Sequence, residues 1–128
     1  MLDSKLRTFI ATGDDQFKPY NRYGTDIPGM SWIPLSGELQ NGEFESFLLR
    51  MDAGARSNPH EHMGFEEFYV VDGLLVDCDG CEYKSGDFVR MLPGSKHSSH
   101  TPDGCLLLVM LRGNNRALGA EEIAAGTG

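Results

Sequence analysis

The chain carries the stretch HEHMGFEEFYVVDG at residues 60–73. Its second half is rich in aromatic and β-branched residues, which predicts a strand over Phe65–Val71. Alternate residues of an extended chain point to the same face of a sheet. His60 and His62 therefore share a face, and this spacing lets their two imidazoles approach one ion.

The same alternation extends to the two glutamates that follow. Glu66 has the parity of the histidines and Glu67 has the opposite parity, so we expect Glu66 to share the histidine face. Gly64 lies between the two groups and leaves room for a bulge, which would reverse this assignment.

Short apolar runs separated by Gly-rich turns continue on both sides of this stretch and indicate an all-β sandwich or barrel. Asp72-Gly73 is expected to end the central strand, and Asp79-Gly80 is the strongest hairpin signal. The pattern stops after Arg112–Asn115, and Ala117–Ala125 is expected to be a short helix or a loose tail. The predicted strands are Met30–Leu35, Glu43–Met51, Phe65–Val71, Leu74–Cys78, Cys81–Tyr83, Phe88–Leu92 and Cys105–Leu111, with a hairpin loop over Ser36–Gly42.

The size of the chain predicts one domain, since its 128 residues and 14.1 kDa suit a single core. We expect a barrel core over about residues 30–111, an N-terminal arm over 1–29 and a C-terminal tail over 112–128.

Charge excludes some partners. Eleven Lys and Arg against 19 Asp and Glu give a net charge of −8, which opposes binding to nucleic acid or an anionic membrane. A small anionic substrate in a local positive pocket stays compatible with it. The first residues lack the apolar block of a signal peptide, so the sequence predicts a cytoplasmic protein.

The cysteines are three, an odd number without a secretory signal, which predicts reduced thiols. Cys78 and Cys81 form a C-x-x-C that could mark a zinc knuckle or a redox pair. Because they flank a predicted hairpin turn and only Cys105 remains to complete a site, we favour free thiols at the hairpin. Cys105 is expected to be a small core residue.

The histidines lie in two motifs that resemble those of the cupin superfamily. The first cupin motif is similar to Gly54-x5-His60-x-His62-x3-Glu66-x6-Gly73, with every spacing matched. The second resembles Gly86-x7-Gly94-x2-His97. It departs from the usual pattern in its proline, which directly precedes Gly94, and in the usual Asn beyond the last His, near which Thr101 stands.

Within that superfamily the chain resembles the ChrR-like cupins. The supporting strings are PHEH at 59–62, EEFYVVDG at 66–73, GDFVR at 86–90, PGSKH at 93–97 and GC at 104–105. The resemblance implies a double-stranded β-helix (jelly-roll) barrel whose motif residues His60, His62, Glu66 and His97 hold one divalent metal. The group is named for the C-terminal domain of an anti-sigma factor and also resembles small non-haem iron dioxygenases that act on diketones and hydroxyacetophenones. No His or Cys precedes His60, so the likeness is to the cupin half alone.

Three imidazoles and one carboxylate suit Fe(II) or Zn(II), and also Mn(II), Ni(II) or Co(II). Such a set leaves one or two coordination positions open for water, O₂ or a chelating substrate. An isolated His-x-His pair would more often be an exposed accident. The additional Glu66 and His97 in register favour the metal site.

Position along the predicted strands suggests further candidate side chains. Arg50 and Arg90 interrupt apolar alternations and could hold a substrate carboxylate or enolate, although outward-facing arginines are equally compatible. Phe68 is a candidate substrate contact. Trp32, Phe47 and Met91 could also wall a pocket, but such residues are usually core.

His100 could act as a general base, a hydrogen-bond partner near the metal or an alternative ligand, but a surface-loop position is favoured. No catalytic side chain is assigned beyond the metal ligands.

The leading hypothesis is a small metal-dependent dioxygenase-type enzyme acting on a diketone or hydroxyaryl-ketone-like small molecule. The alternative is a metal-binding sensor domain that regulates a partner without catalysis. An isomerase or a sugar-binding cupin is a third reading, because one barrel hosts many chemistries. We also expect a homodimer, as in many cupins.

Overall fold

The structure is a computed structural model that describes residues 1–36, 44–113 and 115–119. It is built from short strands with two single-turn 3₁₀ helices, Ser4–Leu6 and Asp14–Gln16, in the N-terminal arm. The all-β prediction is confirmed. The strands are β1 (Lys18–Pro19), β2 (Met30–Pro34), β3 (Glu45–Met51), β4 (His60–His62), β5 (Glu66–Asp77), β6 (Glu82–Lys84), β7 (Phe88–Met91), β8 (Lys96–His97), β9 (Ser99–His100), β10 (Cys105–Leu111) and β11 (Asn115–Ala117).

The strands form two antiparallel sheets. The larger has the order β1-β2-β3-β10-β5-β6, with β7 and β9 also paired to β5, and the smaller has the order β11-β4-β8. Among the described residues, no backbone pairing joins the two sheets into one closed barrel. The long strand β5 carries most of the pairing, because it contacts β10, β6, β7 and β9.

One face of the larger sheet forms the core. Strands β3 and β10 alternate strictly between buried and half-buried positions, as expected of strands with one face in the core. The buried positions join into one apolar cluster that includes Phe47, Val70 and Val109. Tyr20 and Trp32 pack edge to face within it, with ring centroids 5.0 Å apart.

Strand β5 does not end at Asp72-Gly73 as the sequence predicts. It continues to Asp77 through a bulge, at which its register against β10 shifts between Leu106 and Leu107. Gly73 has φ +91°, and its Cα lies so close to the Gly104 carbonyl oxygen that a Cβ would overlap it. The bulge residue is Val71, and Gly73 lies in the strand beyond it, paired with Cys105, rather than ending the strand.

The following hairpin has three loop residues instead of two. The Gly80 amide donates to the Asp77 carbonyl, and the Asp77 amide donates to the Cys81 carbonyl. With Gly80 at φ +88°, this is a turn followed by a left-handed glycine.

Both ends of the chain contribute beyond residues 30–111. Lys18–Pro19 pairs with β2, and Tyr20 is buried in the core. The prediction that the pattern stops after residue 115 is wrong, because Asn115–Ala117 pairs with β4. Three polar or small residues carry no hydrophobic alternation, so the sequence held no strand signal there.

Most of the expected helix or tail, and most of the predicted loop at residues 36–42, lie outside the described residues. No helix among the described residues is long and apolar enough to span a membrane.

Candidate metal centre

Four side chains converge from both sheets. His60 and His62 point inward from alternate positions of β4, and His97 lies directly opposite His60 on the neighbouring strand β8. Glu66 reaches the same point from the first residue of β5 in the larger sheet. All four residues are buried, and one ligand atom from each lies within 4.8 Å of the others.

Glu66 faces this cluster and Glu67 faces away from it, as strand alternation predicts. Glu67 lies on the outer side of β5, where its carboxylate accepts hydrogen bonds from Arg90 on β7. The chain leaves β4 after His62 and enters β5 at Glu66, and the side chain of Glu66 there points to the same side as those of His60 and His62. At Gly64 the backbone lies against the Arg112 carbonyl so closely that no Cβ would fit.

Hydrogen bonds at the outer ring nitrogens of His60 and His97 fix their orientation. The His60 Nδ1–H donates to the Asn58 carbonyl at 2.8 Å, and the His97 Nδ1–H donates to Asp77 Oδ1 at 2.9 Å. Both partners are acceptors only, so Nδ1 must carry the proton in each ring. The inner nitrogen, Nε2, of each neutral ring then presents a lone pair to the cluster.

His62 follows the same rule through a hydroxyl group. Its Nδ1 lies 2.8 Å from Ser95 Oγ, which donates its own hydrogen to the Leu92 carbonyl at 2.7 Å. The hydroxyl therefore accepts from His62 Nδ1–H, and His62 Nε2 also presents a lone pair inward.

The ligand atoms that face the centre of the cluster, the three Nε2 atoms and Glu66 Oε2, are thus all hydrogen-bond acceptors. His60 Nε2 lies 3.1 Å from Nε2 of both His62 and His97. Glu66 Oε2 contacts His62 Nε2 and lies 4.0 Å from His97 Nε2, yet it is a buried oxygen without a hydrogen-bond partner among the described residues. Converging lone pairs repel one another unless a positive charge lies between them.

A divalent metal fits this arrangement. Two ligands bound at about 2.1–2.2 Å and at right angles would be about 3.0–3.1 Å apart, which matches the imidazole spacing. Imidazoles with a carboxylate are the donor set of Fe(II), Zn(II) and related ions. His60, His62, Glu66 and His97 would hold the ion, and Asn58, Ser95 and Asp77 would orient the imidazoles.

The protonation states agree with metal binding. Burial lowers the pKa of His60 to about 4. The nearby Glu66 raises this pKa and the nearby His97 lowers it, but burial has the largest effect. The His60 ring is therefore neutral at neutral pH. Burial would raise the pKa of Asp77, but the hydrogen bonds from His97 and Tyr83 outweigh it and lower the pKa to about 2. For Glu66, burial likewise opposes ionisation, and the adjacent imidazoles lower its pKa. Both carboxylates are therefore ionised.

A cavity of about 50 Å³ adjoins the cluster, room for roughly three or four waters. His60, Glu66 and His97 line it, together with the polar residues Ser57, Asn58, Ser99 and Asn115. Its remaining wall is mostly apolar: Tyr20, Tyr23, Met30, Phe47, Leu49, Met51, Phe68, Leu75, Leu107 and Val109. An open coordination position would therefore face a small, mainly apolar space.

The two arginines considered as substrate ligands lie elsewhere. Arg50 is paired with Asp14 at 2.6 Å and stacks on Phe17, outside the cavity. Arg90 is paired with Glu67 on the exposed side of the larger sheet. Both occupy outward positions of their strands: the neighbours of Arg50 in β3 are buried, and the neighbours of the exposed Arg90 in β7 are half-buried.

The apolar candidates divide. Phe68 and Phe47 are buried and line the cavity, as expected. Trp32 packs in the core against Tyr20 and Phe47, and the partly buried Met91 packs against the core. Neither residue lines the cavity.

His100 lies in β9, paired with Val76, and lines a separate open pocket with Cys78 and Arg56. It does not belong to the four-residue cluster. All three cysteines are free thiols, with Cys78 and Cys81 exposed and Cys105 buried, which agrees with the sequence analysis.

Sequence reasoning missed the residues that orient the imidazoles and two tyrosines of the cavity wall. Asp77 is 20 residues from His97 along the chain, so only tertiary structure reveals their hydrogen bond. Ser95 lies two residues before His97, and its position in a turn beside a ligand motif was the one available signal. Tyr20 and Tyr23 precede the expected barrel core, and no local pattern joined them to it.

Comparison with solved structures defines the class of fold. An acetylacetone dioxygenase from Acinetobacter johnsonii superposes with a TM-score of 0.79 at 15% identity, covering 91% of this chain and 80% of that chain. An RmlC-like cupin protein from Ralstonia eutropha JMP134 gives a TM-score of 0.75 at 17% identity, covering 95% and 79%. The chain thus has the cupin fold.

The chain belongs to the ChrR Cupin-like domain family, which matches residues 8–114. The anti-sigma factor ChrR of Rhodobacter sphaeroides, in its complex with SigE, is similar in structure with a TM-score of 0.56 at 22% identity. That match covers 65% of this chain and 44% of the other. Among curated proteins, none matches the sequence significantly.

Proposed function

We propose that this protein is a divalent-metal cupin of the dioxygenase type that acts on a small diketone-like molecule. One observation carries the proposal: three inward imidazole lone pairs converge on a buried carboxylate oxygen that has no hydrogen-bond partner among the described residues. Three of these four residues, His60, Glu66 and His97, also line a mostly apolar cavity. A purely structural site would gain nothing from an open approach, whereas catalysis requires one.

The chain's own residues supply binding and positioning. Fe(II) held by the four ligands would provide Lewis acidity and electron transfer towards oxygen. Phe47, Phe68 and Leu107 form apolar walls that contact the hydrocarbon part of a substrate and exclude water. Burial keeps Tyr20 protonated by raising its pKa, so this residue of the cavity wall keeps a hydroxyl donor.

The cavity size favours a diketone over a hydroxyaryl ketone. A space for roughly three or four waters accommodates a compact dicarbonyl with small side-chain movements, whereas a phenyl ring would need a larger rearrangement. The similarity of fold to an acetylacetone dioxygenase makes acetylacetone the natural first probe.

Oxygen consumption by the Fe(II)-loaded protein tests the proposal. We expect uptake of O₂ with acetylacetone, slower or absent uptake with a hydroxyacetophenone, and none in His62→Ala. Glu67→Gln, on the opposite face of the same strand, serves as the control and is expected to keep wild-type uptake. A protein that binds iron stoichiometrically but consumes no O₂ with any small diketone would disprove the enzymatic proposal.

That last outcome would favour a second candidate, a metal-binding sensor or regulatory domain. Its support is membership of the ChrR Cupin-like family and the position of Arg50 and Arg90 outside the cavity, which removes both predicted anion-holding groups. A sensor predicts that metal loading changes the stability or partner binding of the chain without turnover.

A further inference from the structure

A second pocket lies beside the metal centre but faces outward. Two backbone hydrogen bonds, of 2.8 and 3.0 Å, join residues 55–57 antiparallel to residues 99–101. They lie on either side of Arg56 and His100, which are directly opposite each other. This is a non-hydrogen-bonded pair, the type in which opposite side chains come closest together on one face of a sheet. The guanidinium and the imidazole therefore project side by side from the same face.

Strand alternation separates the two faces of this layer. Ala55, Asp77 and Thr101 are buried on its inner face. The outward side chains line an open pocket of about 560 Å³, which we call the outer pocket: Arg56, Val76, Cys78, Ser98 and His100. One layer of backbone thus separates the outer pocket from the metal centre.

The outer pocket is locally cationic, although the chain has a net charge of −8. Among the lining residues that the structure describes, Asp77 has the only carboxylate. It accepts hydrogen bonds from the His97 Nδ1–H, the Tyr83 hydroxyl and the Cys78 amide, so its charge is already compensated. Glu82 of β6 does not line the pocket and lies two strands, or about 10 Å, from β9.

The partner opposite Arg56 is unusual for a strand arginine in this chain. Arg90 lies opposite Glu67 and Arg116 lies opposite Glu61, and each forms an ion pair of 2.7 Å. Arg56 lies opposite an imidazole instead, and it forms no ion pair within the described part of the chain. Two nitrogen donors side by side gain nothing from each other, whereas an anion bound between them interacts favourably with both.

The donors of the outer pocket suit a phosphate group. The planar guanidinium of Arg56 matches two oxygens of an oxyanion at once. The His100 ring adds an N–H donor beside it, and Ser98, two residues earlier on the same face, adds a hydroxyl. Donors from three side chains match the three terminal oxygens of a phosphate, whereas a planar carboxylate presents only two.

We infer that the outer pocket binds a phosphate group, either as inorganic phosphate or as the phosphate monoester of a small organic molecule. Arg56 holds two of its oxygens, and His100 and Ser98 hold the third. Val76 and Pro59, also in the lining, offer apolar surface to the organic part of a monoester. The site needs neither the metal nor the proposed enzymatic activity.

Calorimetric titration of the full chain at constant ionic strength tests the inference. We expect one phosphate group bound per chain with inorganic phosphate and with glycerol phosphate. Tighter binding of glycerol phosphate would support an organic phosphate as the occupant, and equal binding would support inorganic phosphate. Malonate, a dicarboxylate, should bind about 10-fold more weakly or less. Malonate binding as tight as that of both phosphates would overturn the assignment to phosphate.

Variants locate the bound group. Arg56→Gln and His100→Phe should each weaken phosphate binding, the first about 10-fold or more, because it removes the charged bidentate donor. Arg7→Gln is the matched control, since it removes the same charge from an exposed arginine of the N-terminal arm. The double variant His60→Ala, His62→Ala should bind phosphate like the wild type, because the outer pocket does not use the metal centre.

Imidazole resonances give a second, independent readout, because the chain has only four histidines. The signal of His100, assigned by its loss in His100→Phe, should move when phosphate is added to the wild type, and those of His60 and His62 should not. Circular dichroism verifies that the variants are folded. A wild type that binds no phosphate at millimolar concentration, unchanged affinity in folded Arg56→Gln and His100→Phe, or a stationary His100 signal would overturn the inference.

Discussion

The Nδ1–H of His97 donates to Asp77 Oδ1 at 2.9 Å, and the Tyr83 hydroxyl donates to Asp77 Oδ2 at 2.7 Å. Asp77 is the last residue of β5, so this hydrogen bond joins the end of the larger sheet to a histidine of the smaller sheet. The carboxylate fixes the tautomer of His97 and increases the basicity of its inner nitrogen. A residue of the hairpin thereby controls a candidate metal ligand.

The first prediction concerns this carboxylate. Asp77→Ala should lower metal affinity about 10- to 100-fold, because His97 loses the group that orients its ring. Competition with a chromophoric chelator measures the change. Asp79→Ala, at the exposed tip of the same hairpin, is the control and should bind metal like the wild type. Equal affinities of the two variants would show that Asp77 has no positioning role.

The second prediction separates the adjacent glutamates. Glu66→Gln should reduce metal affinity about 10-fold or more, because it removes the anionic ligand from the cluster. Glu67→Gln should leave it unchanged, because this side chain pairs with Arg90 on the other face of β5. Equilibrium dialysis followed by elemental analysis gives both values. A larger loss of metal affinity in Glu67→Gln than in Glu66→Gln would mean that a bulge at Gly64 turns Glu67, and not Glu66, towards the histidines.

The third prediction concerns the backbone beside the site. Gly64→Ala should destabilise the protein by more than about 3 kcal/mol, because the new Cβ would overlap the Arg112 carbonyl oxygen. Urea unfolding measures the loss. In the control, Gly13→Ala, the Cβ approaches only the end of the Asp15 side chain, so its unfolding midpoint should hardly move. A small effect of Gly64→Ala would mean that residues 64 and 112 are not in close contact.

The fourth prediction concerns the thiols. Cys78 and Cys81 are exposed, whereas burial raises the pKa of Cys105 to about 11 and keeps it as an unreactive thiol. A colourless disulfide reagent that releases a chromophore should therefore titrate two thiols in the native protein and three after denaturation. Three fast thiols in the native state would contradict the burial of Cys105.

Local sequence patterns predicted the strands that bury one face, because alternation of side chains reports directly on burial. These patterns did not predict structure that depends on backbone contacts between residues far apart in the sequence. Gly73 looks like a strand end, but the strand continues through it with its backbone packed against Gly104. Asn115–Ala117 becomes a strand only because β4 offers an edge to pair with.

The ligand cluster was predicted for related reasons. The parity of His60, His62 and Glu66 follows from the chain itself, and the position of His97 came from the resemblance to cupins. Asp77 and Ser95 could not be assigned, because a hydrogen bond to an outer ring nitrogen depends on tertiary structure. Strand pattern did not decide where Arg50 and Arg90 point, since an arginine within an apolar strand has the same pattern whether it points inward or outward. In the structure both lie outside the cavity lining and pair with Asp14 and Glu67.

The metal content of untagged protein tests the proposed metal centre most directly. Elemental analysis should find about one divalent ion per wild-type chain, with iron favouring an oxygenase and zinc favouring a sensor. The double variant His60→Ala, His62→Ala should retain almost none while keeping the circular dichroism of the folded protein. Equal metal content in the folded double variant, or no bound metal in the wild type after incubation with Fe(II) or Zn(II), would contradict a centre formed by His60, His62, Glu66 and His97.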